Sequence, residues 1–303
     1  MTGNWQLAQR RPALEARARI VQTIRAFFID QGFLEVETPQ RIPVNAPELH
    51  IDAVRSGAWF LHTSPELCMK RLLSAGYPRI FQICRVWREA ERGSRHLPEF
   101  TLLEWYRADA DYLNLMDDCE ALLRALVPVG SLPVRGAVID LTGPWQRLTV
   151  AEAFAAYASL PLAQALAADR FDELLSREVE PRLGQECPTF LYDYPAQLAA
   201  LARHKAHHPE LAERFELYIA GIEVANAFSE LTDPAEQRQR FTVEEAARRV
   251  QGTEPLPLPE NFLAELANLP PSAGIALGID RLVMLLTGAA TVDAVVAFSP
   301  EEL

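Results

Sequence analysis

Two runs of β-branched and aromatic residues, RIFQICRVWR at 79–88 and EFTLLEWYR at 99–107, stand on either side of the polar loop EAERGSRHLP. Residues of that kind suit a pleated, half-buried surface, and Gly93 and Pro98 in the linker punctuate the change of direction. The pair reads as an antiparallel hairpin with a long connection, and long connections tend to carry function. The other strand-like stretches, FLEVETP, PTFLYDYP, ELYIAGIEVANAF and the start of GIALGIDRLVMLL, lie at long, irregular intervals. No regular β-α-β alternation joins them, so the expected fold is α+β, an antiparallel β-sheet flanked by helices.

Helices fill the intervals. Leu14, Ile20, Val21, Ile24, Phe27 and Phe28 recur at helical spacing from Pro12 to Gln31, and Gly32 stands where a helix end tolerates positive φ. Ser64-Pro65-Glu66 has the form of an N-cap followed by a first-turn proline, in a helix ending at Gly76. Further helices are expected over Tyr112–Val127 and Pro234–Val250. The Pro/Gly-rich PVGSLPVRGAVIDLTGPW reads as a loop, and a capping box at Thr149–Glu152 opens a helical insertion over 149–184. There is no internal repeat, and 1–303 is expected to form a single domain.

A net charge of −12 argues against a broad basic surface for nucleic acid. Cys68, Cys84, Cys119 and Cys187 are far apart and suggest neither a disulfide frame nor a zinc site. No segment approaches the roughly 20 apolar residues of a membrane helix, and a cytoplasmic protein is expected.

Three constellations could carry chemistry. A period of two puts Phe100, Leu102, Glu104 and Tyr106 on one face of the second hairpin strand. Pairing brings Arg88 beside them, where a guanidinium can hold a phosphate while a ring stacks on a base; Arg95 and His96 add positive charge at the far end of the loop. In GIEVANAFSELTD, Glu223, Asn226 and Glu230 share a face if helical, whereas on a strand a bulge or bend must lie between the glutamates. Two carboxylates so placed either raise a pKa or bind a divalent cation. In GIALGIDRLVMLL, Gly274 and Gly278 permit close approach of a ligand that Arg281 could also face. HKAHH, at 204–208, reads as a solvated helix end.

In order, these segments resemble the three motifs of the class II aminoacyl-tRNA synthetases: RAFFIDQGFLEVETPQ motif 1, Arg88 to Tyr106 motif 2, GIALGIDRLVMLL motif 3. Within that class the chain is similar to the lysyl-tRNA synthetase core and, more closely, to its truncated paralogues, the elongation factor P β-lysine ligases. Motif 1 begins within the first few dozen residues, so the resemblance implies no anticodon-binding domain. Ala276 stands where lysyl-tRNA synthetases have glycine and these ligases alanine.

The resemblance implies ATP and Mg²⁺ as cofactors, with Arg88, Arg281, Glu223 and Glu230 as catalytic residues. Arg88 would hold the α-phosphate and substrate carboxylate, and Phe100 and Arg281 would sandwich adenine. Glu89, His96, Leu97, Val224 and Gly278 would complete the ATP site, and Glu223 and Glu230 would bind the metal. Ser64, Glu66, Glu104, Tyr106, Asn226, Glu230 and Ala276 would line the amino-acid pocket.

The implied reaction is activation of (R)-β-lysine as its adenylate and transfer to the ε-amine of a lysine on elongation factor P. The implied enzyme is a homodimer without stable tRNA or membrane binding. Alternatives are a ligase for α-lysine or another amino acid, a lysyl-tRNA synthetase-like enzyme, and a silent regulatory paralogue. Two positions depart from the motif 2 pattern. Ala90 replaces the glutamate expected to reach adenine, with Glu89 or Glu91 as possible substitutes, and Leu97 replaces an asparagine.

Overall fold

The computed structural model describes residues 5–134, 136–199, 201–253 and 255–303. Helix α1 (Trp5–Asp30) begins earlier than the apolar spacing predicted. Pro12 is accommodated inside it, and Ile24 and Phe28 are fully buried on its inner face. Gly32, at φ 76°, ends the helix. Strand β1 (Leu34–Glu35) is shorter than its alternation suggested. Val36 N still bonds Phe81 O, but Thr38 N turns to the Gln82 side chain, and Pro39 has no N–H to offer.

Strands β2 (Arg41–Ile42), β3 (Arg55–Ser56) and β4 (Trp59–Leu61) form a small separate sheet before α2 (Glu66–Ser74). The long hairpin is β5 (Arg79–Trp87) and β6 (Glu99–Ala108), as its composition predicted. Asp111 caps α3 (Tyr112–Leu126) with a full capping box. The stretch expected to be a loop contains a second hairpin, β7 (Ser131–Val134) and β8 (Ala137–Asp140). Leu132, Val134 and Ile139 are buried on its inner face, so burial overrides the Pro/Gly signal.

After β9 (Gln146–Thr149), the capping box of Thr149 and Glu152 starts α4 (Val150–Tyr157), followed by α5 (Leu162–Ala167) and α6 (Phe171–Leu174). These helices share an apolar cluster that includes Phe154, Phe171 and Val179 and docks on Tyr194 and Tyr218. Next come β10 (Thr189–Pro195), β11 (His204–Lys205), β12 (His208–Ile219) and β13 (Ile222–Ser229). The HKAHH segment is therefore the tight connection of two antiparallel strands, not a helix end. The β12–β13 turn is Ala220-Gly221, both at positive φ, as a two-residue hairpin requires. Helices α7 (Pro234–Val250) and α8 (Glu260–Glu265), strand β14 (Ser272–Gly278) and helix α9 (Ile279–Thr287) follow.

The main sheet runs β1-β5-β6-β14-β13-β12-β10-β9, with β11 paired to β12. Its inner pairs are antiparallel, and only the edge pairs β1–β5 and β9–β10 are parallel. Helices α1, α3 and α9 bury one face around Phe28, Leu103, Trp105, Ile275 and Leu285. On the other face, Leu73 of α2, Phe241 of α7 and Phe262 of α8 pack around Ile80 and Tyr106. Among the described residues, no helix is long and apolar enough to cross a membrane.

Candidate functional site

The antiparallel register aligns polar side chains in rows across the sheet. Gln82, Glu104, Ala276, Asn226 and Glu216 are successive partners on β5, β6, β14, β13 and β12. The neighbouring row is Ile80, Tyr106, Gly274, Phe228 and Arg214. Neighbouring strands lie about 4.8 Å apart, so residues distant in sequence form one continuous floor. The bulge demanded of a strand through GIEVANAF is present: Leu217 faces Ala225 and Tyr218 faces Glu223, leaving Val224 as the extra residue. Glu223 thereby lines the same cleft as Asn226.

That cleft has a cavity volume of about 190 Å³, and Arg88, His96, Phe100, Glu223, Gly278 and Arg281 are on its walls. Leu97, Val224 and Ala276 also line it. The Arg88 guanidinium lies 5.2 Å from the Phe100 ring centroid, and its Nε is buried without a hydrogen-bond partner among the described residues. A buried, unsatisfied donor beside an aromatic face is a ready anion site. Arg281 is held by three neighbours: Nε donates to Arg95 O at 3.3 Å, Nη1 donates to Glu223 O at 2.9 Å and Glu223 Oε2 at 3.0 Å, and Nη2 meets His96 Nε2 at 2.5 Å. Beside it in sequence, Asp280 accepts from Thr101 N at 2.7 Å and Arg17 Nη1 at 2.6 Å, locking the start of α9 to β6 and α1.

Arginine only donates, so His96 Nε2 is the acceptor and the ring is neutral. Burial first, then the Arg281 charge, push its pKa below the ordinary value. His96 lines the cleft as expected, but without the positive charge expected of it. Glu89 is exposed and outside the cleft, whereas Glu91 lines it. The cause is Ala90, whose φ of 62° reverses the chain between them. Glu91 Oε1 lies 3.6 Å from Arg88 Nη1.

Behind the cleft is a buried acidic nest. Ser64 Oγ donates to Glu104 Oε1 at 2.6 Å, and Tyr106 Oη donates to Glu104 Oε2 at 2.8 Å. Lys70 Nζ donates to Glu66 Oε1 at 2.5 Å and pairs with Glu230 Oε2, also at 2.5 Å. Burial and then the charge of Glu66 push Glu104 up to about 8, against the two hydroxyls that favour its anion. Burial likewise raises Glu230. Burial alone would lower Lys70, but Glu230 and Glu66 together hold it above its ordinary value. Glu230 is 0% exposed, and its Oε1 has no hydrogen-bond partner among the described residues. A Cβ on Gly274 would stand 2.2 Å from Tyr106 Cε1 and 2.4 Å from Glu230 Oε1. Glycine there is what lets these two groups close over β14.

Glu223 and Glu230 are not brought together: one faces Arg281 and the other Lys70. The acidic companions of Glu223 are Glu216 and Glu180, residues that sequence spacing does not connect to it. Glu216 accepts from Arg214 Nη2 at 2.7 Å and Tyr218 Oη at 2.6 Å, and burial raises its pKa. Burial, followed by the charges of Glu216 and Glu223, pushes Glu180 up to about 7. Among the described residues, no three His, Cys, Asp or Glu side chains converge at metal-ligand distance. Lys70, Glu48, Arg214 and Glu216 were all missed in the sequence. The period-two run Arg214, Glu216, Tyr218 was the one available signal for the last two.

Chemically, the cleft offers an aromatic platform and guanidinium groups for an anionic ring-bearing ligand, and the nest behind it offers carboxylates for cationic groups. The family model described as tRNA synthetases class II (D, K and N) matches residues 5–302. The chain is similar to the elongation factor P–(R)-beta-lysine ligase of Salmonella gallinarum, at 39% identity covering 98% of each chain. The Salmonella typhi protein of the same name is likewise 39% identical over 98% of each chain.

Proposed function

Because the chain belongs to the class II tRNA synthetases and is a full-length relative of the elongation factor P–(R)-β-lysine ligases, we propose that it activates a diamino acid with ATP and transfers it to a protein lysine. The diamino acid is (R)-β-lysine, and the acceptor is the ε-amine of a lysine on elongation factor P. One observation carries the substrate class. Three carboxyl groups, Glu66, Glu104 and Glu230, lie around a single ammonium, Lys70, so ionising all three would leave two negative charges in a buried nest, and burial holds Glu104 and Glu230 up at about 8 until a cation meets them. Isolated buried charges are costly, and a ligand with two ammonium groups neutralises both.

In this reading the distal ammonium sits among Glu104, Tyr106 and Glu230, and the substrate carboxylate points toward Arg88. Adenine lies between Phe100 and Arg281. The carboxylate is ionised at pH 7, so no general base is needed for the first step. Its oxygen attacks the α-phosphorus, forming an acyl–phosphate bond as the bond to pyrophosphate breaks. Arg88 and Arg281 orient the phosphates and neutralise the developing charge. The acceptor amine then attacks the acyl carbon, forming an amide and expelling AMP.

Class II synthetases use Mg²⁺ with ATP. The crowding of Glu216, Glu223 and Glu180 suits that ion, which commonly takes one or two protein carboxylates and completes its shell with substrate phosphates. Glu216 and Glu223 would hold it, and it would supply charge neutralisation at the phosphates. This assigns Glu230 to the amine of the substrate.

The rest of the reading is a single catalytic domain acting in the cytoplasm without stable tRNA binding, consistent with a net charge of −12. The chain pairs as a homodimer through the motif 1 edge, where Ile29, Leu34 and Tyr77 are exposed. Pyrophosphate exchange into ATP tests the activation step. Exchange that requires lysine or (R)-β-lysine supports it, and no exchange with either overturns it.

A further inference from the structure

Glu48 belongs to neither the nest nor the sheet floor, yet it lines both the nucleotide cleft and the small chamber bounded by Asn45, Thr63, Ser64 and Glu66. It stands where the two halves of the site meet. Its backbone is pinned from α7: Arg248 Nη1 donates to Glu48 O at 2.6 Å and to Ile51 O at 2.9 Å, and Arg248 Nη2 pairs with Asp52 Oδ1 at 2.9 Å. Leu49 N donates to Glu244 Oε2 at 2.9 Å. Arg248 is 2% exposed, so this clamp is a buried, built feature. The loop is fixed, but among the described residues no hydrogen bond or ion pair engages the Glu48 carboxylate. Glu66 on one side and Arg88 on the other are the charges that act on it most strongly, and burial with Glu66 pushes it up to about 7.

A diamino acid whose carboxylate is drawn to Arg88 carries its proximal ammonium only one or two carbons away. That places the ammonium between Arg88 and Glu66, the position that Glu48 borders. Resting on the activation reading above, we propose that Glu48 takes the proximal ammonium of the substrate together with Glu66, and so governs discrimination by the position of that amino group. A β-amino acid holds its ammonium one carbon farther from the carboxylate than an α-amino acid does. A carboxylate at the chamber mouth and another at its wall distinguish those positions, whereas the nest that binds the distal ammonium does not.

The test uses pyrophosphate exchange by the whole chain as wild type, E48Q and E48D, with α-lysine and (R)-β-lysine, and with 6-aminohexanoic acid, which lacks the proximal amine, as a competitive inhibitor. E48Q is expected to raise the amino-acid KM about 10- to 100-fold, the range for loss of a charge-assisted hydrogen bond, and to change the ratio of the two isomers. The KM for ATP and the inhibition constant of 6-aminohexanoic acid should stay within about twofold, and E48D should recover part of the loss. Equal weakening of 6-aminohexanoic acid, a parallel rise in the ATP KM, or unchanged exchange with slower transfer to the acceptor would each overturn the assignment. Wild-type chain that exchanges with neither isomer overturns the activation reading instead.

Discussion

Lys70 is the internal counter-ion of the acidic nest, and replacing it with methionine is the most informative perturbation of the site. Its side chain is 1% exposed, with carboxylate oxygens of Glu66 and Glu230 each 2.5 Å away. Lys70→Met keeps most of the volume and strands the carboxylates. Breaking a buried pair by removing one partner costs about 3–5 kcal/mol. Unfolding entropy scales with length, so for 303 residues this is a fall of about 5–8 °C in Tm. The loss depends on pH. A buried carboxylate with a raised pKa keeps a proton that the unfolded chain gives up, so stability falls as pH rises from the unfolded value toward the folded one. For Glu104 that window runs from 4.5 to about 8. Glu230 is raised to about 8 as well, and Lys70 is the charge that holds it down, so losing Lys70 extends that window upward and the gap between variant and wild type is wider at about pH 9 than at about pH 5. Thermal unfolding at both pH values, with and without lysine, is the assay. A bound dication should stabilise the variant more than the wild type. A gap that is constant with pH, or equal stabilisation of the two proteins by lysine, would refute the charge count.

Gly274→Ala places a methyl 2.2 Å from Tyr106 and 2.4 Å from Glu230, so the amino-acid KM should rise at least tenfold while the chain still folds, checked by exchange kinetics beside circular dichroism. The amino-acid KM of the wild type should fall as pH rises toward 8, because Glu104, at about 8, must ionise to meet an ammonium; a pH profile that is flat from 6 to about 8 contradicts this. Phe100→Ala should raise the ATP KM by about 10-fold or more and leave the lysine KM nearly unchanged, if the ring stacks on adenine as proposed and touches no amine.

Local periodicity made much of this legible. The β5–β6 hairpin and the shared face of Phe100, Glu104 and Tyr106 follow from alternation alone. The bulge that a strand demanded between Glu223 and Glu230 is present at Val224, although the two glutamates part to Arg281 and Lys70. What escaped is non-local. Glu216 and Arg214 reach the floor through the register of β12 against β13, which spacing within one segment does not encode. Lys70 reads as an ordinary surface lysine of α2, and its burial depends on Glu230, 160 positions later in the chain. Glu91 displaced Glu89 because a non-glycine residue, Ala90, adopts positive φ, for which composition gives no warning. The β7–β8 hairpin was hidden by the prolines and glycines around it.

The claim that joins cleft to nest is that the chain couples a diamino acid to a protein lysine at the expense of ATP. The most direct measurement is the intact mass of elongation factor P after incubation with the chain, ATP, Mg²⁺ and (R)-β-lysine. The account predicts a gain of one β-lysyl residue on a single lysine, dependent on both ATP and the amino acid. An unchanged acceptor mass, in a reaction where pyrophosphate exchange proceeds, would contradict it.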